Sequence, residues 1–319
     1  MTSRMIVVNP LGGALLHYRR ELVSVLHASG QTPELVEFPE PSAGDGSRAG
    51  WVRRYLKTLR LLRQQRNGDA EEIRVVIAWP VLGYLDLIIL ALLLPGAWLT
   101  VHDPVPLVRS VGYGAFARAA SRLLGSRARV IVLSRAAADE VRSALPRATM
   151  RVLPHPALEP ADGTRQPALP TVRVLGQYKP DRDLALLRSI VADNPGLVYS
   201  ITGRGWPEVT GWEVEERFVP EEELDELIRG ASVVLIPYRR FFQSGIAVRC
   251  LELGTPVVGP RDSSLHDTLV SQPALLADSS PSDWSRAIRA ALALTRSEVR
   301  DLGWSMRQSA VDEWSAARL

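Results

Sequence analysis

The sequence predicts an α/β protein of two doubly wound domains in series, and three observations carry that prediction. Short, nearly continuous apolar runs alternate with segments of helical period, the pattern of parallel strands covered on both faces. A proline-rich stretch without period, Pro154–Pro170, interrupts the alternation, which then restarts. The 319 residues, 46% hydrophobic and 23% charged, suffice for two cores of ordinary size.

Taken in order, Met5–Val8 reads as the first strand and Asn9–Gly13 as its loop. Ala14–Ala28 has a helical pattern, with Leu15, Leu16, Leu22, Val23, Val25 and Leu26 on one side, and Gly30 ends it. Leu35–Phe38 is a strand and Pro39–Ala49 a polar loop. Trp51–Gln65 is a helix, Arg74–Trp79 a strand, Leu82–Leu94 a buried helix and Trp98–His102 a further strand. Val111–Gly125 is helical, Val130–Leu133 a strand, Arg135–Leu145 a helix and Arg151–Leu153 a strand. After the linker come strand Val172–Leu175, helix Asp183–Val191, strand Leu197–Thr202, a short strand at Phe218-Val219 and helix Glu221–Arg229. Strands Val233–Ile236 and Val257-Val258 flank helix Ile246–Leu253, and Ser282–Leu294 and Ser297–Ala317 are the closing helices.

Composition narrows the function classes. The single cysteine, Cys250, excludes an internal disulfide and a cysteine-built metal centre, and makes a reducing, cytoplasmic compartment the expectation. The start, MTSRMIVVNP, reads as a polar end and a strand rather than a signal peptide. Val75–Val101 imitates a membrane span, but Pro80, Asp86 and Pro95-Gly96 break it into strand, helix and strand. The formal charge is +3, the pI is about 9.2, and Arg48–Arg66 holds seven basic residues and no acid. There Trp51, Val52, Tyr55, Leu56, Leu59 and Leu62 oppose Arg53, Arg54, Lys57, Arg60, Arg63 and Arg66. Such a helix either lies on an anionic membrane surface or packs on a sheet with its arginines in water. The patch lacks interleaved exposed aromatics, so no nucleic acid is expected.

The stretch Tyr238–Val258 carries the most chemistry. A buried strand ends at Pro237, a loop brings Arg239, Arg240, Phe241 and Phe242, and Ser244-Gly245 opens a helix that Gly254 stops. Such a turn at a helix start offers free amides and a favourable dipole to an anion, and glycine lets the backbone approach phosphate. A plain N-cap explains Ser244 equally well. Arg249, about one turn into the helix, reaches either phosphate or an acid. No G-x-G-x-x-G follows a strand, since Gly203-Arg204-Gly205 has Glu208 where the third glycine belongs. Walker-type phosphate loops, H-E-x-x-H and G-x-S-x-G are absent as well.

Seven segments, in order, together resemble the retaining nucleotide-sugar glycosyltransferases of family 4 (group 1), which have the GT-B fold. They are Gly12-Gly13 after the first strand, His102 in LTVHDPVP, VIVLSRAAADEV, RVLPHPAL, VLGQYKPDRDLALL, YSITGRG, and ASVVLIPYRRFFQSGIAVRCLELGTPVVGP. The resemblance covers most of the chain. It implies two Rossmann-like domains facing across a cleft, an acceptor-side domain over 1–160 and a donor domain over 171–295. The last helix, 296–319, then crosses back to the first domain or packs within the second.

The implied enzyme moves a sugar from a nucleoside diphosphate sugar to a glycan or lipid-linked acceptor, in polysaccharide or glycoconjugate synthesis. It retains anomeric configuration, uses no cofactor and no tightly bound metal, and is cytoplasmic or peripheral at the inner face of the membrane. By the same resemblance the catalytic candidates are His102, Lys179 and Arg182, the two cations neutralising the departing diphosphate. The donor-binding candidates are Gly12, Gly13, Gly203, Tyr238, Ser244, Gly245 and Arg249, with Arg204 beside them. Two departures stand out. The family's paired glutamates fall on Phe241 and Arg249, and the first basic residue of its G-R…K pair is Gln177. Glu252 lies on another helical face. A non-catalytic nucleotide-sugar-binding partner of another transferase, or a sugar-nucleotide epimerase of the same fold, are the alternatives left open.

Overall fold

The computed structural model describes residues 3–41, 47–68, 72–106, 110–124, 128–161, 169–239, 241–317 and 319. It divides into two compact units, Met1–Pro156 with Ser309–Leu319, and Ala157–Gln308.

Unit 1 is a parallel sheet of β1 (Ser3–Asn9), β2 (Glu34–Glu37), β3 (Glu72–Ile77), β4 (Trp98–Val101), β5 (Arg129–Val132) and β6 (Thr149–Val152). The strands lie in the order β2-β1-β3-β4-β5-β6, so the winding reverses between β1 and β3. The connecting helices are α1 (Leu16–Ala28), α2 (Arg48–Gly68), α3 (Leu85–Leu93), α4 (Ala115–Leu124) and α5 (Arg135–Ala144). The central strands are apolar on both faces because helices cover both. One core joins Met5 and Val7 to Tyr18, Leu22, Val25 and Leu26 of α1 and to Ala310, Trp314 and Leu319 near the C-terminus.

Unit 2 repeats the plan with β7 (Thr171–Leu175), β8 (Val198–Thr202), β9 (Glu213–Glu215), β10 (Val233–Leu235), β11 (Val257–Pro260) and β12 (Leu276–Ala277). Its order is β12-β11-β10-β7-β8-β9, with the reversal between β7 and β10. Its helices are α6 (Leu184–Asp193), α7 (Glu221–Arg229), α8 (Gly245–Glu252), α9 (Leu265–Thr268), α10 (Pro281–Ala293) and α11 (Arg296–Ala316). Leu302 and Met306 of α11 belong to the core of unit 2, whereas Ala310 and Trp314 belong to that of unit 1. Part of the linker, 162–168, lies outside the described residues. The part before it is tied down within unit 2, because the buried carboxylate of Glu252 accepts from Leu158 N at 2.6 Å.

Two expected elements differ, and two short ones were not expected. The helix expected from Val111 begins at Ala115. Gly112, at φ +82°, forms a tight turn whose carbonyl accepts from Tyr84 N at 3.0 Å, and an added Cβ there would stand 1.6 Å from Leu82 O. The short strand expected at Phe218-Val219 is instead β9, where Glu213–Glu215 pairs with Ser200–Thr202. Phe218 is exposed and lies under the Arg204 guanidinium, 4.7 Å from its ring centroid, so its apolar character serves a surface stack and not the sheet. Carboxylates on this edge strand also discourage pairing with another chain. Short α9 and β12 have too few residues to show a period.

Two predictions follow from burial. Trp314 is buried, and its Nε1 donates to Pro154 O at 3.0 Å. Trp314→Ala should destabilise the protein by about 3–5 kcal/mol in urea unfolding. Asp86 is buried in the first turn of α3; its Oδ2 accepts from Leu82 N at 2.6 Å. Burial pushes its carboxyl up to about 7, against the bond from Leu82 N. The native state therefore favours the proton more than the unfolded chain, whose value is 3.8. That contribution is full below 3.8 and is lost as pH rises to about 7. Stability should fall over this window, and Asp86→Asn should flatten that limb in a urea series across pH.

Candidate functional site

In unit 2, loops leave the carboxyl ends of β7, β8 and β10 around the winding reversal, where open α/β sheets bind their ligands. Gly176, at φ +99°, ends β7, and Gly203 follows β8 so closely that an added Cβ would stand 2.0 Å from Gly176 O. Gly176 N donates to Thr202 O at 3.0 Å, Tyr178 N to Arg204 O at 2.9 Å, and Trp206 Nε1 to Gly176 O at 2.7 Å. The first turn of α8 reaches the same point, since a Cβ on Gly176 would meet Ile246 Cδ1 at 3.1 Å.

The segment after β7 runs beside the one after β10. Asp183 N donates to Pro237 O and Arg239 N to Asp181 O, each at 2.9 Å. Between them Arg182 is buried, with its guanidinium 3.2 Å from the centroid of the Tyr238 ring. Its Nη2 donates to Gln177 O at 3.1 Å, and Asp181 stands 3.7 Å away. Burial holds Arg182 below the ordinary arginine value, while Tyr238 and Asp181 act the other way. Arg182 thus braces the loop from within and does not offer its charge to solvent. Lys179 is half-buried and forms no ion pair among the described residues. Ser244 caps α8, its Oγ accepting from Ala247 N at 3.3 Å. Gly245 is exposed, and an added Cβ there would meet nothing within 4 Å. This leaves open space before the amides of α8.

Arg249 has a different role from the expected donor contact. Its Nη2 donates to Glu221 O at 2.9 Å, and its other nitrogens pair with the Glu221 and Asp225 carboxylates. A buried guanidinium needs such partners, and acidic α7 supplies them. The acid-rich sequence at Glu221–Glu226 was the signal for this tie. Phe241 is a core residue, edge-on to Tyr238 with centroids 5.2 Å apart. Beside Arg249, Cys250 is fully buried, and burial pushes its thiol far up. Nothing in the sequence singled out Trp206, whose indole latches the β7 and β8 loops.

Unit 1 holds the remaining candidates at the carboxyl ends of β1 and β4. Gly12, at φ +47°, packs with a would-be Cβ 3.2 Å from Pro39 Cα, and Gly13 has open space around it. Buried Asn9 fixes this turn, its Nδ2 donating to Gly12 O at 3.0 Å and to Glu37 Oε1 at 2.8 Å. His102 is buried; its Nε2 donates to Ala78 O at 2.8 Å, and its ring stacks on Trp79 with centroids 4.7 Å apart. The amphipathic α2 turns Tyr55, Leu59 and Leu62 into the protein, so of the two readings of this helix its main apolar face takes the packed one, and its cations face outward together with Leu61. No helix among the described residues is long and apolar enough to cross a membrane.

Two substitutions test these assignments. Gly203→Ala should cost about 1–3 kcal/mol in urea unfolding, because backbone stands where the methyl would go. Arg249→Gln should cost about 1–3 kcal/mol, since it leaves α7 carboxylates without their partner. An Arg249→Gln protein as stable as the parent would show that the tie is unimportant.

No protein-family model matches the sequence, and no curated protein matches it. Solved structures do. A sucrose-phosphate synthase from Thermosynechococcus elongatus superposes with a TM-score of 0.65 at 16% identity, covering 98% of this chain and 96% of that one. An E. coli structure titled as trehalose-6-phosphate bound with UDP-2-fluoro glucose gives 0.63 at 11%, covering 99% and 98%. An α,α-trehalose-phosphate synthase (UDP-forming) from Burkholderia vietnamiensis gives 0.56 at 11%, covering 99% and 98%. At such identities the likeness speaks for architecture, and it agrees with the two six-stranded parallel sheets: the chain has the GT-B fold.

Proposed function

We propose that this chain is a glycosyltransferase that takes a sugar from a nucleoside diphosphate sugar, with the diphosphate held by unit 2. The observation that carries the reading is the convergence of Gly176, Gly203 and the start of α8 at one sheet reversal. Exposed amides at a capped helix start, with no side chain at Gly245 to fill the space, suit an anion. Lys179 is the cation proposed to meet the charge that develops on the leaving diphosphate. Tyr238 and Arg182 position the loop, and Arg249 is left out of the donor set. From unit 1, Gly12, Gly13 and His102 are proposed to act on the sugar side. The proposed acceptor is a glycan or a lipid-linked acceptor, with the anomeric configuration retained and no bound metal required.

A non-catalytic nucleotide-sugar binder is the second reading, favoured by the structural use of Phe241 and Arg249 where the resembled family has its glutamates. A donor panel separates the two. UDP sugars lead it, since the E. coli structure was solved with one. Calorimetry should find one nucleoside diphosphate sugar that binds, and hydrolysis or transfer of it should be measurable; binding without turnover selects the second reading. Gly245→Leu should abolish that binding while leaving the melting temperature of the free protein nearly unchanged. Lys179→Ala should lower kcat about 100-fold with a smaller change in KM. If no donor binds, the proposal is wrong.

A further inference from the structure

The outer surface formed by α2, α3 and α4 in unit 1 has an uncommon composition. α3 packs between α2 and α4. Large apolar side chains point outward along all three: Leu61 is 49% exposed, Leu92 67%, Phe116 83%, Leu123 75% and Leu124 63%. Phe116 and Leu123, seven residues apart, share one side of α4. Partly exposed Ile88 and Ile89 extend the patch over α3. Scattered exposed leucines need no explanation, but several on adjoining helices do.

The exposed charge on these three helices has one sign. α2 carries Arg48, Arg53, Arg54, Lys57, Arg60, Arg63 and Arg66, and α4 carries Arg118 and Arg122. The only carboxylate on the three helices is Asp86, which is buried. Cations also gather at the carboxyl end of α3. Arg63 donates to Leu92 O at 2.9 Å, Arg66 to Pro95 O, and Arg129 to Gly96 O at 3.4 Å. These three guanidiniums are close enough that Arg63 and Arg129 lower the pKa of Arg66, although its burial lowers it more. On the other side of α4, Glu140 lines a cavity of about 320 Å³ with Arg118 and Arg122.

We propose that the α2–α3–α4 face of unit 1 docks on an anionic lipid bilayer, inserting Leu92, Phe116 and Leu123 at the interface while the arginines meet the headgroup phosphates. Apolar side chains that enter the acyl boundary, on helices whose exposed charges are all cations, match the chemistry of such a surface. The contact differs from the amphipathic mode suggested by α2, whose main apolar side faces inward, because here α2 supplies charge and Leu61 while α3 and α4 supply most of the apolar area. It stands independently of the donor reading.

The test is co-sedimentation of the full chain at low salt with two kinds of vesicle, phosphatidylcholine alone and an equimolar mixture with phosphatidylglycerol. The chain should sediment with the mixed vesicles only. Arg60→Gln and Arg118→Gln should each weaken binding roughly fivefold. The double variant Phe116→Ser, Leu123→Ser should weaken it about tenfold or more, and Val270→Ser, an exposed apolar residue of unit 2, should leave it unchanged. All these side chains are exposed, so the variants should keep the parent circular dichroism. The proposal is overturned if the parent does not sediment, if neutral vesicles bind it as well, or if the double variant binds like the parent. It is also overturned if the parent self-associates through this patch and ignores vesicles.

Discussion

The carbonyl of Gly176 receives the indole of Trp206 and leaves no room for a side chain on Gly203, so the loops after β7 and β8 are held backbone to backbone. Parallel strands end in outward loops that must satisfy their own polar groups, and here they do so on one another. The loop after β7, once fixed, gives Arg182 its seat on Tyr238 and thereby ties in the segment after β10. The position of α8 then depends on the same contact through Ile246. The open space at this helix start, proposed to receive an anion, is therefore a by-product of how three strand ends are packed.

Electrostatics in this region has been redistributed. Where the resembled family places acids, the loop has a phenylalanine in the core and the helix has an arginine, and the compensating carboxylates sit on α7. Moving negative charge away from the open side of α8 makes that side more hospitable to an anion. It also removes groups that would orient a sugar's hydroxyls, so under the proposed function recognition of a sugar would fall to backbone and to neutral side chains.

Much of the architecture was legible because buried parallel strands write themselves as apolar runs, and glycine marks turns such as those at Gly30 and Gly254. The strand order was not, since it depends on pairings between segments far apart in sequence. Phe218 misled because an apolar residue near an edge strand served a cation stack instead of the sheet. In the site, Ser244-Gly245 was legible as a cap, and the space beside it needed coordinates. Arg249 had two readings of equal standing, and only the proximity of α7 chose between them. The inward face of α2 was similarly undecidable, because a helix on lipid and a helix on a sheet share one amphipathic pattern.

Cys250 lies mid-way along α8, sealed in the core of unit 2, and it is the chain's single sulfhydryl. A thiol so placed ionises poorly and meets reagents only when its helix lifts away. Its alkylation rate in the folded protein would thus count openings of the very element that borders the proposed ligand space. The protein carries its own chemical clock for that motion, with no competing cysteine to blur the signal.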